Sequence, residues 1–202
     1  MHSPFAVVRS RRPSLPCAAS GSQISMIDAN PVQELQRVMT MLEVLYSDDQ
    51  LAVVNKPAGL MVHDSKLARG ETDFAADRLR EQFGKPIFLV HRLDRATSGC
   101  LLLAFDRDTA SALGKTLMSG EVGKEYLTVC RGWPQEIFTI DYPLDGGPGK
   151  PVKKPAVTHF IRLATGELPV PSNGFETSRY ALLRCTLDTG RFRQIRRHLK
   201  HC

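Results

Sequence analysis

From Leu42 onward the chain consists of short apolar runs separated by turn residues. Residues 42–46 (Leu-Glu-Val-Leu-Tyr) and 51–55 (Leu-Ala-Val-Val-Asn) are strand-length runs joined by Ser47-Asp48-Asp49-Gln50, which predicts a hairpin. Lys56-Pro57-Ala58-Gly59 ends the second run, because proline cannot donate to a central ladder. Phe74, Ala75, Leu79 and Phe83 recur at helical spacing and predict a helix over residues 72–83, with Thr72 as cap and Gly84 as stop. A second helix is predicted over 109–118, closed by Gly120. Further strands are predicted over 87–90, 100–105, 124–130, 137–140, 156–163 and 180–187, and residues 191–201 read as a basic helix. The stretches 145–151 and 167–174 carry the Gly, Pro and Asn of loops. Strands outnumber helices and do not alternate with them. The predicted class is therefore α+β, a mixed, mainly antiparallel sheet with flanking helices, rather than a doubly wound parallel sheet.

The 202 residues are 42% apolar and 24% charged, an ordinary globular composition. No apolar run approaches the length of a membrane-spanning helix, and no membrane partner is expected. The net charge of +6 is compatible with nucleic acid, an anionic membrane or acidic metabolites and selects none of them. Residues 1–40 differ from the rest. The first 27 contain Arg9, Arg11 and Arg12 and no acid, and are rich in Ser, Pro and Ala. They read as a disordered extension, or sequence upstream of a later start, with an organelle transit peptide as the alternative. Asn30-Pro31 could open a short helix there. The expected domain is thus 41–202, and its uncapped basic end at Cys202 suggests an incomplete C-terminal part.

The five cysteines form no Cys-x-x-Cys pair. Cys100, Cys130 and Cys185 lie in apolar runs and read as buried free thiols of a reducing compartment, consistent with a cytoplasmic location. His198-x-x-His201-Cys202 has no second ligand group at finger-like spacing, so no metal is expected. Gly114-Lys115-Thr116 and Gly149-Lys150 lack the upstream glycine of a phosphate loop. His91-Arg92-Leu93-Asp94 is not a kinase catalytic loop, since Leu93 interrupts it and no Asp-Phe-Gly follows.

Three features carry chemistry. Arg92, Asp94 and Arg95 crowd a polar loop between two apolar strands. A carboxylate between guanidiniums stays ionised and suits a nucleophile or general base; the alternative is a structural salt-bridge knot. Five basic residues, Arg191, Arg193, Arg196, Arg197 and Lys200, occur in 191–200 without an acid. As a helix this segment places Arg193, Arg197 and Lys200 on one ridge, with Arg196 about 100° from Arg197 and Ile195 and Leu199 on the opposite edge. It then offers phosphates a basic face; the alternative is a merely solvated one. Tyr126 opens a strand, as a core residue or as a plate on which a base stacks.

His91-Arg92-Leu93-Asp94-Arg95-Ala96-Thr97-Ser98-Gly99 resembles the signature of the RluA family of pseudouridine synthases. Asn55-Lys56-Pro57-Ala58-Gly59-Leu60, Lys124-Glu125-Tyr126 and Thr189-Gly190-Arg191-x-x-Gln194-Ile195-Arg196-x-His198 resemble three further motifs of that family, in the same order. The resemblance implies the pseudouridine synthase catalytic fold and cofactor-free isomerisation of a uridine in RNA, by a monomer. It makes Asp94 the catalytic aspartate, Tyr126 the residue stacked on the uracil and Arg196 the partner of Asp94. Arg92 helps displace the base, and Lys56 and Pro57 support the active-site loop. Arg95, Arg191, Arg193, Arg197 and Lys200 are then expected to contact RNA. Residues 41–46 and 142–160 look most like the branch that modifies tRNA at the T-stem uridine, position 65. The alternatives are a synthase acting on rRNA and an inactive RNA-binding fragment. Two departures are visible: Arg193 stands where the family usually has His, and Phe192 is larger than the usual residue.

Overall fold

The structure is a computed structural model that describes residues 40–64, 70, 72–171 and 174–201. The predicted hairpin forms: β1 (Glu43–Ser47) pairs antiparallel with β2 (Leu51–Lys56). Asp48 closes its turn, its Oδ1 accepting from the backbone N–H groups of Gln50 and Leu51 at 2.8 Å each. After α1 (Ala75–Phe83) come β3 (Phe88–Leu89), β4 (Gly99–Ala104) and α2 (Arg107–Ser119). The chain continues through β5 (Glu125–Arg131), β6 (Ile137–Asp141), β7 (Val157–Leu168) and β8 (Ser178–Leu187) to α3 (Gln194–His201).

The α+β class holds, and the strands divide into two four-stranded antiparallel sheets, ordered β1-β2-β4-β3 and β5-β8-β7-β6. The first core gathers Ala52 and Val54 of β2, Leu79 of α1 and Leu101 and Leu103 of β4. The second gathers Ile140, Phe160, Ala181, Leu183 and Cys185, with Ile195 and Leu199 of α3 packed against it. The apolar edge expected of the basic helix is therefore its docking face. Tyr126 packs against both cores.

Four local expectations change. Thr72 does not cap α1. The helix starts at Ala75 behind Phe74, which makes no side-chain cap bond, because carbonyls from elsewhere serve its first amides: Ala75 N–H donates to Met61 O at 2.8 Å and Ala76 N–H to Val62 O at 3.0 Å. Gly84 does stop it, at φ 63°. α2 starts two residues earlier than the periodicity suggests, because Asp106 caps it by accepting from Thr109 N–H at 2.7 Å. The basic helix begins at Gln194 rather than at residue 191, because Arg193 has φ +51° and cannot continue a right-handed helix. Arg193 thus leaves the expected ridge with Arg197 and Lys200. Finally, Cys185 is buried but Cys100 is exposed, because β4 alternates and sends Leu101 and Leu103 inward instead. Residues 1–39 and Cys202 lie outside the described residues, and with them the extension, the helix at Asn30 and the metal reading of the tail.

Candidate active site

The nine-residue signature spans the connection from β3 to β4. The ladder stops where Val90 N–H donates to Leu102 O at 3.3 Å, and the next contact comes from a side chain: Leu102 N–H donates to His91 Nε2 at 3.1 Å. His91 Nε2 must be unprotonated to accept, and burial holds the imidazole below its ordinary value. Leu93, 7% exposed, plugs the loop into the first core. Burial of a leucine contributes about 1.5–3 kcal/mol, so the residue before Asp94 is firmly anchored. Asp94 itself is half-buried, and Thr97 N–H turns back onto its carbonyl at 3.0 Å.

Lys56 holds the loop from below. Strand alternation turns Ala52, Val54 and Lys56 to the same inward face of β2, and all three are 0% exposed. β2 pairs Lys56 with Gly99, at the end of the signature loop. The buried ammonium donates to Pro57 O at 2.7 Å, Leu60 O at 2.8 Å and Arg95 O at 3.4 Å. Arg95 is bound again through Gly59, whose N–H donates to Arg95 O at 2.8 Å while Arg95 Nε donates to Gly59 O at 3.0 Å. Burial lowers the Lys56 pKa and the charge of Asp94 opposes that shift. Burial, and after it the negative charge of Asp94, raises the Tyr126 phenol above its ordinary value. The structure thus brings together Asp94, Lys56 and Tyr126. Their chemistry is a carboxylate at a partly open loop, a cation beneath it, and an aromatic ring that keeps its proton at neutral pH. Lys124 ties the strand that carries Tyr126 to α2, its Nζ donating to Leu117 O at 3.3 Å.

The third motif is mostly a buried polar anchor. Gln194, 3% exposed, uses every hydrogen-bonding position of its amide. Nε2 donates to Val157 O and Thr158 Oγ1, and Oε1 accepts from the Thr189 hydroxyl and Arg191 N–H, all at 2.9 Å. His198, 0% exposed, continues the chain. Its Nε2 lies 3.0 Å from Tyr142 O and must donate, so Nδ1 accepts from the Thr158 hydroxyl at 2.9 Å. With both ring nitrogens occupied, His198 is not poised as a metal ligand, and no ligand cluster occurs among the described residues.

The remaining cations differ in their surroundings. Arg196 is exposed on α3, and no ion pair joins it to Asp94 among the described residues. Arg197 is committed to Asp145, donating from Nη2 to Oδ2 at 2.9 Å and from Nη1 to the carbonyl at 3.0 Å, and so is not a free phosphate ligand. Arg191 Nε donates to Pro155 O at 3.0 Å. Arg92, Arg193 and Lys200 are exposed. The unusual Phe192 is accommodated by Gly147, at φ +94°, where a Cβ would lie 2.7 Å from the Phe192 ring. The sequence assigns His91 no role of its own; it opens the signature one residue past an apolar run, and these are the local signals of it.

A family model described as RNA pseudouridylate synthase matches residues 50–201. The tRNA pseudouridine synthase C of Pectobacterium carotovorum is 39% identical over 202 residues, covering 96% of this chain and 53% of that protein. The enzyme of the same name from Haemophilus ducreyi is 41% identical over 168 residues, covering 79% of this chain and 69% of that protein. This chain therefore spans between about half and about seven tenths of the length of these relatives. The solved structure of Human RNA Pseudouridylate Synthase Domain Containing 4 superposes with a TM-score of 0.62 at 25% identity, covering 83% of this chain and 68% of that one. The chain that sets an aspartate loop between two strands, above a buried lysine, is thus matched by the family model over residues 50–201 and by relatives at 39% and 41% identity, and it belongs to the RNA pseudouridylate synthase family.

Proposed function

We propose that this chain isomerises a uridine of tRNA to pseudouridine, with Asp94 as the catalytic group. The observation that carries this is the place of Tyr126, packed against both cores and near enough to the Asp94 loop for that carboxylate's charge, after burial, to raise its phenol. In the isomerisation the N1–C1′ bond breaks, C5 bonds to C1′, the C5 proton is lost and N1 gains one. Composition is unchanged, so the balance requires no oxidant and no external energy source. A paired uridine must first leave its stack, at a cost of a few kcal/mol. Stacking on the protonated ring of Tyr126 returns about 1–3 kcal/mol of that. The half-buried Asp94 carboxylate then faces the ribose or the base, on a loop that Lys56 holds from below through Arg95 O. Arg92, exposed on the same loop, fills the vacated stack, and exposed Arg196 contacts the RNA. The names of the relatives favour tRNA over rRNA, and the resemblance favours the T-stem uridine. Free thiols at Cys100, Cys130 and Cys185 suit a cytoplasmic enzyme.

Tritium release from tRNA labelled at uridine C5 tests the reading. The protein is expected to release tritium, and Asp94→Asn to release none while binding tRNA within a few-fold of the parent. Release by Asp94→Asn, or none by the parent protein, would overturn it.

A further inference from the structure

Residues 145–155 and 190–200 together hold eight Lys and Arg and a single acid, Asp145. Three contacts dock the first segment onto the second. Arg197 binds Asp145 through two hydrogen bonds, Phe192 lies against Gly147, and Arg191 Nε reaches Pro155 O. The docked segment is a closed hairpin rather than a loose loop. Leu144 and Lys154 exchange backbone hydrogen bonds at 3.0 and 2.9 Å, Gly146 N–H donates to Lys150 O at 3.0 Å, and Lys150 N–H returns to Gly147 O at 3.0 Å. Gly147 N–H adds a bond to Asp145 Oδ1 at 2.8 Å. Arg197 neutralises the one acid, and Lys150, Lys153 and Lys154 are all exposed. Lys153 remains close enough for its charge to be felt at Asp145, and its Nζ lies 5.4 Å from the Tyr142 ring centre.

The geometry points to a second phosphate-binding surface, formed by Lys150, Lys153 and Lys154 of the 144–154 hairpin beside Arg191 and Arg193, that tracks the backbone of the RNA away from the reacting uridine. This rests on the proposed RNA substrate and adds a contact that neither the aspartate loop nor α3 provides. The charge is spread over two chain segments, which suits a row of phosphates better than one small anion. A hairpin already closed by hydrogen bonds presents its lysines without the ordering cost a loose loop would carry. Arg197, which the sequence placed on such a surface, acts instead as the strut that positions it.

The test is anisotropy titration of a labelled tRNA transcript with the full chain, across a salt series. Each phosphate contact removed lowers the salt slope by about one unit. The triple variant Lys150→Gln, Lys153→Gln, Lys154→Gln is expected to lower the slope by about two to three units and the affinity by roughly tenfold or more. Each single substitution is expected to lower the slope by about one unit, which keeps the test valid should the triple variant fold poorly. The control Arg107→Gln, Lys115→Gln removes exposed charge from α2 and is expected to change affinity by less than about twofold. A triple variant indistinguishable from this control overturns the surface while leaving the catalytic reading intact. A parent protein that does not bind tRNA in a salt-dependent way overturns the RNA substrate itself. Asp94→Asn, which blocks only the chemistry, is expected to keep the parent slope.

Discussion

Replacing Gln194 with leucine removes four hydrogen bonds from one buried position while keeping nearly the same volume. The four partners do not fare equally. The Thr158 hydroxyl keeps His198, the Val157 carbonyl keeps the Asp188 N–H at 3.3 Å, and Thr189 still accepts from Val157 N–H at 3.2 Å. Arg191 N–H loses its only partner among the described residues. An orphaned donor costs about 1–3 kcal/mol, and each hydrogen bond lost from a group that keeps another partner costs about 0.5–1.5 kcal/mol. Burial of the new methyl groups returns part of this. The expected loss is about 2–5 kcal/mol, a large fraction of the stability of an ordinary domain. Urea unfolding followed by circular dichroism reads it directly, provided the slope m is unchanged. Gln194→Glu keeps an acceptor for Thr189 and Arg191 but turns a carboxylate oxygen toward Val157 O and Thr158 Oγ1. Its destabilisation should therefore grow as pH rises and the buried acid ionises. A loss below about 1 kcal/mol for Gln194→Leu at constant m would refute the account of α3 as an element held by a buried polar anchor.

Tyr126→Phe keeps the stacking face and should retain most single-turnover activity, whereas Tyr126→Ala should lose about 1–3 kcal/mol, or roughly 5- to 150-fold, in holding the flipped base; equal and full activity of both would return Tyr126 to a packing role. His91 has a folded-state pKa below its ordinary 6.5. Its contribution is therefore fully present above pH 6.5 and is lost as pH falls from there toward the lower folded value, as the unfolded chain takes up the proton first. His91→Gln, which keeps an acceptor for Leu102 N–H, should not show this loss, and parallel unfolding midpoints of the two proteins from pH 8 to 5 would contradict it. Gly147→Ala would place a Cβ 2.7 Å from the Phe192 ring at φ +94°, so thermal unfolding should show a loss of about 1–3 kcal/mol, with part recovered by Phe192→Ala in the same chain.

Local pattern determined most of the elements of this protein. The period-two runs gave the β1–β2 hairpin, Gly84 and Gly120 closed their helices at left-handed positions, and the polar signature between two apolar runs located the Asp94 loop. Those outcomes depend on neighbours a few residues apart, and such neighbours lie side by side in the sequence. Tertiary structure decided what depends on distant partners. α1 begins at Ala75 because carbonyls of Met61 and Val62 receive its first amides, which no residue near Thr72 announces. Its neighbours in the sequence mark Lys56 only as the end of a strand, and the resemblance gives it a supporting role; inward register and three carbonyl acceptors show how a buried Lys56 supports the loop that carries Asp94. Arg197 and Arg196 are adjacent and chemically identical in the sequence. One is bound to Asp145, 52 residues away, and the other is exposed, because a helix turns successive side chains about 100° apart and only the folded chain supplies an acid on one of those bearings.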